Sequence, residues 1–438
     1  MYRFCKDFVS KTAVIGGGVA GIVSAHLLQR QHRVTLFEAG NYLGGHTNTY
    51  VVKNGPDEGL AVDTGFIVFN LQTYPHFVRF LKELGVDWQE SDMSFGYECE
   101  LSDWVYGGHD LNSFFADRKN LGRPRFWKFA WNLLKLNHLG TQFALKSGNE
   151  AITLREFLRP FSSNLIRHYV EPIGASIWST PTQDVMDFPA LSFFRFFHNH
   201  GLMKLWDRPQ WLTVRGGSHQ YIKAFQRSFQ GRILLKSPVQ AVMSLEDGGY
   251  EVLTASGRER FDAVVMATHA DTTLRLLPQA TDQQRELLSP WRYLKNTATL
   301  HGDAALLPAN PLARSSWNYR RRTGERLPSL TYDMNRLQRL QSTKSYLVSL
   351  NGEEQIDERS IIGQWDYHHP QYDLVSLRTQ PRLPLLNRDG MAFCGSYHGY
   401  GFHEDATASA VKAASSLGVE WSTPSATTRK SPTVASPR

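Results

Sequence analysis

The chain has 438 residues, 41% hydrophobic and 20% charged, which is long enough for two or three domains around a sizeable core and ordinary for a globular enzyme. Its formal net charge of +7 favours an anionic partner, yet no nucleic-acid motif accompanies it. Cys5, Cys99 and Cys394 share no metal or redox spacing, no run of 18 apolar residues spans a membrane, and no apolar leader precedes the first strand, so a cytoplasmic protein is expected.

The first organised stretch is 11–47. Ala13, Val14 and Ile15 run into Gly16, and Gly16, Gly18 and Gly21 keep the G-x-G-x-x-G spacing. This predicts a strand, a tight turn and a helix start. Gly16 permits the turn, Gly18 lets backbone approach a pyrophosphate, and Gly21 seats the helix on the strand. The N–H groups of Val19 and Ala20 and the positive end of the dipole then face the phosphates. A second strand delivers Glu38, 22 residues beyond Gly16, where a βαβ unit needs a carboxylate for an adenosine ribose.

Gly44 and Gly45 follow six residues after Glu38. With that pair the sequence resembles the flavoprotein group of the amine oxidases, phytoene desaturases and protoporphyrinogen oxidases. The resemblance implies FAD as cofactor and an α/β fold. It further implies a discontinuous Rossmann-like FAD-binding domain with an inserted substrate domain of mixed helices and antiparallel sheet. Relatives usually follow the glycine pair with Arg. Here His46, with Thr47 beside it, weakens the contact to the pyrophosphate or makes it pH-dependent.

In that group the loop at 62–70 passes the flavin ring, which makes Gly65, Phe66 and Ile67 candidate contacts; a buried strand with a bulge at glycine fits the same residues. A helix over 74–85 follows, and from there to Pro209 the chain reads as helical and aromatic-rich. Between Asn112 and Arg167 ten basic residues face three acids, interleaved with Phe114, Phe115, Phe126, Trp127, Phe129 and Trp131. Such a segment suits a membrane surface, or equally a solvated face over an aromatic core. Phe188, Phe193, Phe194, Phe196 and Phe197 are too dense for one helical stripe, so some meet a second apolar surface: a cavity wall, a membrane or a neighbouring domain. His198 and His200 stand at i,i+2 and do not meet on a helix, and no metal is expected.

The chain returns to the cofactor domain at 214–225, with strands and a Gly248-Gly249 hairpin beyond. In relatives the residue at Val239 meets adenine, and the strand ending at Thr268 closes over the cofactor. Antiparallel strands are expected near 315–319 and 327–335. Lys295 occupies the place where many amine oxidases hold a water at flavin N5, although a solvated edge-strand lysine is the other reading. Residues 391–414 resemble the group's last FAD segment: a strand to Gly395, a glycine loop through Gly401 and Phe402, and a helix from His403 whose N-terminus points at the flavin. Ser396 stands where relatives carry an acid for the ribitol. The resemblance makes Tyr397, His398, Tyr400 and His403 the candidate bases, with His368 and His369 outside that set.

The predicted division is 1–75, 211–290 and 386–418 for the FAD-binding domain, 76–210 and 291–385 for the substrate domain, and 419–438 for a disordered tail. The motifs GGHTNTY, VDTGFIVFN and FCGSYHGYGFHEDA are similar to those of bacterial flavoproteins encoded near cyclopropane-fatty-acid synthases, and to the N-terminal half of plant cyclopropane synthases. That resemblance implies oxidation or desaturation of a methyl- or methylene-branched acyl chain of a phospholipid. The alternatives are an amine oxidase flanking its flavin with Tyr397 and Tyr400 or Trp317, and a non-catalytic flavin-binding partner of a lipid methyltransferase. A lipid substrate would bring the protein to the inner face of the cytoplasmic membrane.

Overall fold

Lys11–Ile15 and Ala263–Met266 are apolar on both faces, as the middle strands of a parallel sheet covered by helices must be. They lie side by side in a five-stranded parallel sheet ordered Arg232–Leu234, Arg33–Phe37, Lys11–Ile15, Ala263–Met266 and Met391–Phe393. Its strands come from three separate stretches, so the cofactor domain is discontinuous. The computed structural model describes residues 10–146, 152–204, 206–322 and 329–422.

The helices Val19–Leu28 and His403–Ser416 pack on each other against this sheet. Ala406, Ala410, Ala413 and Ala414 give the second helix a buried stripe of small side chains, which lets the two axes come close. Val239–Ser244, Tyr250–Thr254 and Gly257–Phe261 form an antiparallel meander. Its first turn uses Gly248 and Gly249 at φ +93° and +80°, values that favour glycine.

The substrate side is a seven-stranded sheet ordered Ile361–Pro370, Tyr293–His301, Leu347–Leu350, Leu330–Asp333, Trp317–Arg321, Phe95–Cys99 and Val105–Gly107. The last two strands correct the helical reading of 76–210. Phe95–Cys99 pairs in parallel with Trp317–Arg321, more than 200 residues away, and no local pattern announces such a partner. Where the insert begins and ends, Trp211–Val214 sits between Val68–Asn70 and Trp88–Glu90 and fastens both ends.

The aromatic run falls on the helix Ala190–Asn199, with Phe193, Phe194, Phe196 and Phe197 all buried. Phe194 packs 4.5 Å from Phe157 and against Gly140, where a Cβ would stand 2.5 Å from the Phe194 ring. Phe196 faces the other way, 4.8 Å from Phe402. The second apolar surface is therefore the glycine loop of the cofactor domain.

The helix Pro124–Ala144 divides the basic segment in two. Phe126, Phe129, Leu136 and Phe143 are buried, while Trp127, Trp131 and Leu134 are 52%, 69% and 45% exposed. At the C-terminal end the cofactor domain extends past 418: Trp421 is buried, its Nε1 donates to Glu83 at 2.7 Å, and Arg79 stacks 4.2 Å above its ring. Most of the predicted tail lies outside the described residues. No helix among the described residues is long and apolar enough to cross a membrane.

Candidate active site

The glycine turn has the form its spacing demands. Gly16 adopts φ +108°, and a Cβ on Gly21 would lie 1.8 Å from the Gly16 carbonyl. A Cβ on Gly18 would meet nothing within 4 Å, so open space stands above the helix start, which no side chain caps. The second glycine pair closes on that space. Gly44 N donates to the Gly17 carbonyl at 2.8 Å, and a Cβ on Gly45 would come within 3.4 Å of Gly18 Cα. Glu38 is held by the N–H groups of Gly17 and Gly40 at 2.7 and 2.6 Å, which leaves lone pairs on both oxygens. Thr268 borders the turn from the next strand, near Gly16, and its carbonyl faces Gly395.

This cradle fits an FAD. Glu38 would take the adenosine ribose, and the open N–H groups of Gly18, Val19 and Ala20 the pyrophosphate, with Gly44 and Gly45 opposite. Val239 is half-buried at the start of the meander. Ser396 is half-buried at the turn into the last glycine loop, where its carbonyl accepts from Gly401 N at 3.2 Å.

His46, the residue in the arginine position, stands in a group that the sequence did not assemble. Its ring lies 5.0 Å from Tyr367, 5.1 Å from His369 and 6.2 Å from His269. His269 stacks on Tyr293 at 4.3 Å, and His369 Nδ1 meets Asn296 at 3.1 Å. Tyr367 is fixed by Thr64 and Asn48 at 2.8 and 3.1 Å. Burial, then the neighbouring imidazoles His369, His269, His403 and His368, hold the His46 pKa well below the ordinary value. Burial takes His269 and His369 down to about 4. The set is neutral at neutral pH, so His46 would offer a pyrophosphate a hydrogen bond in place of a charge. His369, left outside the candidates, belongs to this group. The signal was strand alternation: Tyr367 and His369 share one face of Ile361–Pro370.

The last glycine loop is organised by an acid that sequence reasoning passed over. Asp405 accepts from Phe402 N at 2.9 Å and is further hydrogen-bonded by Tyr400 and Gly401 N–H. A Cβ on Gly399 would stand 2.0 Å from its Oδ1. Burial raises its pKa to about 7, opposed by those backbone bonds. The N-terminal end of His403–Ser416 thus carries its own carboxylate, which holds the loop that leads into it.

The candidate bases separate on this loop. His403 stacks 3.5 Å from Phe66, and its Nε2 meets Thr47 at 3.0 Å and Tyr221 at 3.3 Å. Burial pushes its pKa to about 3. It fastens the helix to the two glycine loops and is not placed as a proton carrier. Phe66 likewise turns its ring to His403 and Phe77, leaving its backbone to the loop, where its N–H donates to the His46 carbonyl at 2.8 Å. Gly65 is needed there, since a Cβ would reach that carbonyl at 2.1 Å, and the buried Ile67 accepts from Thr213.

Tyr397 is buried, its hydroxyl without a partner among the described residues, against Trp291 at 5.6 Å. His398 is pushed to about 3 by burial and then by Lys412. Lys412 belongs to the third turn of the last helix, so His398 sits behind the loop. Tyr400 looks the other way, 5.9 Å from Phe196, into a lobe of rings that includes Phe402, Trp178, Phe188 and Tyr372. Lys295 is 57% exposed and paired with Asp366 at 2.9 Å. On that strand the inward place belongs to its neighbour Asn296, which is buried. Trp317 sits on its sheet 5.0 Å from Tyr332. Groups of histidine, cysteine and acid arranged to hold a metal are absent among the described residues.

The sequence matches the family described as flavin containing amine oxidoreductase over residues 19–417. It is 24% identical over 315 residues to β-cyclopiazonate dehydrogenase of Aspergillus oryzae, covering 69% of this chain and 64% of that enzyme. It is 26% identical to L-amino-acid oxidase of Mus musculus, covering 65% of this chain and 46% of the relative, so the match leaves a third or more of both relatives unspanned. Putrescine oxidase bound to putrescine shares the fold at TM-score 0.68 and 15% identity, covering 94% of this chain and 99% of its own. A fatty acid isomerase from P. acnes that produces CLA does so at 0.67 and 14%, covering 93% and 98%. The chain belongs to the flavin containing amine oxidoreductase family, and FAD is its cofactor.

Proposed function

We propose that the protein is an FAD-dependent oxidoreductase that removes two hydrogens from an apolar chain, a methyl- or methylene-branched fatty acyl group of a phospholipid. The observation that supports this is the lobe beside the last glycine loop. It is a packed cluster of the rings of Trp178, Phe188, Phe196, Tyr372, Tyr400 and Phe402. Its nearest acid, Asp405, is engaged with the N–H groups of its own loop. An ammonium brought there would lack a free counter-ion, a cost of several kcal/mol in a buried site.

Bound FAD supplies the two-electron acceptor. The chain's own part is to hold the acyl chain among these rings, exclude water and carry away the remaining proton. Tyr400 faces the lobe, and burial, then Asp405, raises its hydroxyl pKa above the ordinary value. It keeps its proton at neutral pH and acts as a relay rather than as a standing base.

The same reading gives the exposed stripe of Pro124–Ala144 a partner. Trp127, Trp131 and Leu134 fall at i, i+4 and i+7, with Lys128 and Lys135 exposed beside them. Rings and cations in that arrangement suit a bilayer carrying anionic lipid. Flotation of the holoprotein on such vesicles, lost in a Trp127→Ser, Trp131→Ser double variant, is expected; equal flotation of the two would remove the membrane from the proposal.

Amine oxidation is the second reading, favoured by the relatives named as L-amino-acid oxidases. Fold likeness does not choose, because an amine oxidase and a fatty acid isomerase resemble the chain equally. Anaerobic bleaching of the yellow protein does choose. Phospholipids with mid-chain methylene or methyl groups are expected to bleach it while unmodified lipids and simple amines do not. Bleaching by amines with the branched lipids silent would sink the acyl-chain reading.

A further inference from the structure

On the substrate domain a cavity of about 220 Å³ is lined by Trp104, Arg125, Asn164, Arg167, His168 and Arg321, and by no carboxylate. Three guanidinium groups converge there from distant parts of the chain. Arg321, on the central sheet, is fixed by the Arg167 carbonyl at 2.6 Å and by Glu171 at 3.0 Å. Arg125, at the start of the long aromatic helix, is paired with Asp103 and lies 5.8 Å over Trp104. Arg167 is exposed and has no carboxylate partner among the described residues.

The backbone is shaped around this convergence. Ile166–Val170 is a π-helical turn between the helices Ser163–Leu165 and Glu171–Trp178. Such a turn adds a residue to the helical path, and it recurs at functional sites. Here it frees the Arg167 carbonyl for Arg321. His168 is locked in place: Nδ1 meets the Tyr97 hydroxyl at 2.9 Å, its carbonyl accepts from Tyr106 at 2.7 Å, and its ring stacks on Trp104 at 4.4 Å. Burial, then Arg321, Arg167 and Arg125, take the His168 pKa down to about 4. The imidazole is therefore uncharged, and the positive charge at the cavity belongs to the arginines.

We propose that this cavity is an oxyanion site that takes a phosphate group, as a phosphate ester in solution or as a phospholipid headgroup. Planar guanidinium forks match phosphate oxygens in pairs. Three of them, with two carboxylates standing behind, leave a single net positive charge but more N–H donors than the two oxygens of a carboxylate ligand can take, which favours the additional oxygens of a phosphate. Asn164 adds a neutral donor. The proposal does not depend on the acyl-chain reading, since the site is defined by phosphate whichever substrate the flavin serves.

Trp104 reports on the cavity directly. The full-length holoprotein would be titrated with inorganic phosphate, glycerol phosphate, dihexanoyl phosphatidylglycerol and acetate while indole fluorescence is read, with calorimetry alongside. Saturable binding of at least one phosphate-bearing probe is expected. Arg167→Gln should weaken it tenfold or more, with flavin absorbance and the unfolding midpoint unchanged, because Arg167 is exposed and makes no internal ion pair. Arg125→Gln should weaken it too. Glycerol phosphate binding as tightly as the lipid identifies a soluble ester, and tight binding of the lipid alone identifies a headgroup. Failure of every phosphate probe to saturate, affinity unmoved by both substitutions, or acetate binding as well as phosphate would each overturn the proposal.

Discussion

Two helices in this molecule begin at glycine-rich loops beside the cofactor path, and they treat their N-terminal charge in opposite ways. Val19–Leu28 starts with no side-chain cap and with open space above Gly18. His403–Ser416 starts over the buried carboxylate of Asp405, which takes the loop N–H groups for itself. The first start has no acid in its first turn, whereas the second carries Glu404 and Asp405 there, so that its positive dipole end already faces negative side chains of its own. The first start is thus the one suited to receive an anion, and at the second Asp405 fixes the loop that sets Tyr400 and Phe402 at the aromatic cluster.

The largest expected effect breaks the first start. Gly18 has φ −72° and room for a side chain. Gly18→Val is therefore expected to fold, with the apoprotein unfolding within a few degrees of wild type, and to purify with at most a tenth of the flavin. Gly21→Ala, whose methyl would press on the Gly16 carbonyl, is expected to lose both flavin and stability. Absorbance at the flavin band and thermal unfolding of the apoproteins separate the two. A yellow Gly18→Val protein would show that the open space is not the pyrophosphate path.

The second start is tested through pH. Burial raises the Asp405 pKa from 3.8 to about 7, and the buried Asp63, bonded to Ser218 and Thr49, is raised to about 7 as well. A carboxyl whose folded pKa lies above its unfolded value favours folding most at low pH. That contribution is lost as pH climbs from about 4 through 7. Asp405→Asn is expected to flatten part of this decline, so the unfolding midpoint of the variant should gain several degrees on wild type between pH 4 and 8. Parallel curves for the two proteins would mean that the carboxylate is better satisfied than its burial implies.

What the sequence disclosed follows the range of the interactions. The first βαβ unit was legible because Gly16, Gly18, Gly21 and Glu38 answer local demands of a turn, a helix start and a ribose. The hairpin at Gly248 and Gly249 was legible for the same reason. Phe95–Cys99 was hidden, because its parallel partner lies across the chain. For Lys295 the sequence left two readings open, a lysine at the flavin and a solvated strand lysine, and one step of strand pleat, which puts Asn296 inward and Lys295 against Asp366 in solvent, agrees with the second. His403 carried the composition of a base. Only the packing of Phe66 and the hydroxyls of Thr47 and Tyr221 reveal a fastening residue.

The smallest expected effect returns to the first start, at His46. Its imidazole is neutral at neutral pH because burial and its histidine neighbours hold its pKa well below 6.5. At pH 7.5 it lends the pyrophosphate no charge, and His46→Ala should cost only a few-fold in FAD affinity. An anion beside it favours the protonated ring and raises its pKa, so acidification from pH 7.5 to 5 should tighten flavin in wild type relative to the variant. The ratio of dissociation constants for His46→Ala and wild type is therefore expected to grow as pH falls. His269 and His369 titrate in both proteins, and the ratio cancels much of their contribution. A ratio flat across that range would place His46 away from the phosphates and leave the uncapped helix start as their main anchor.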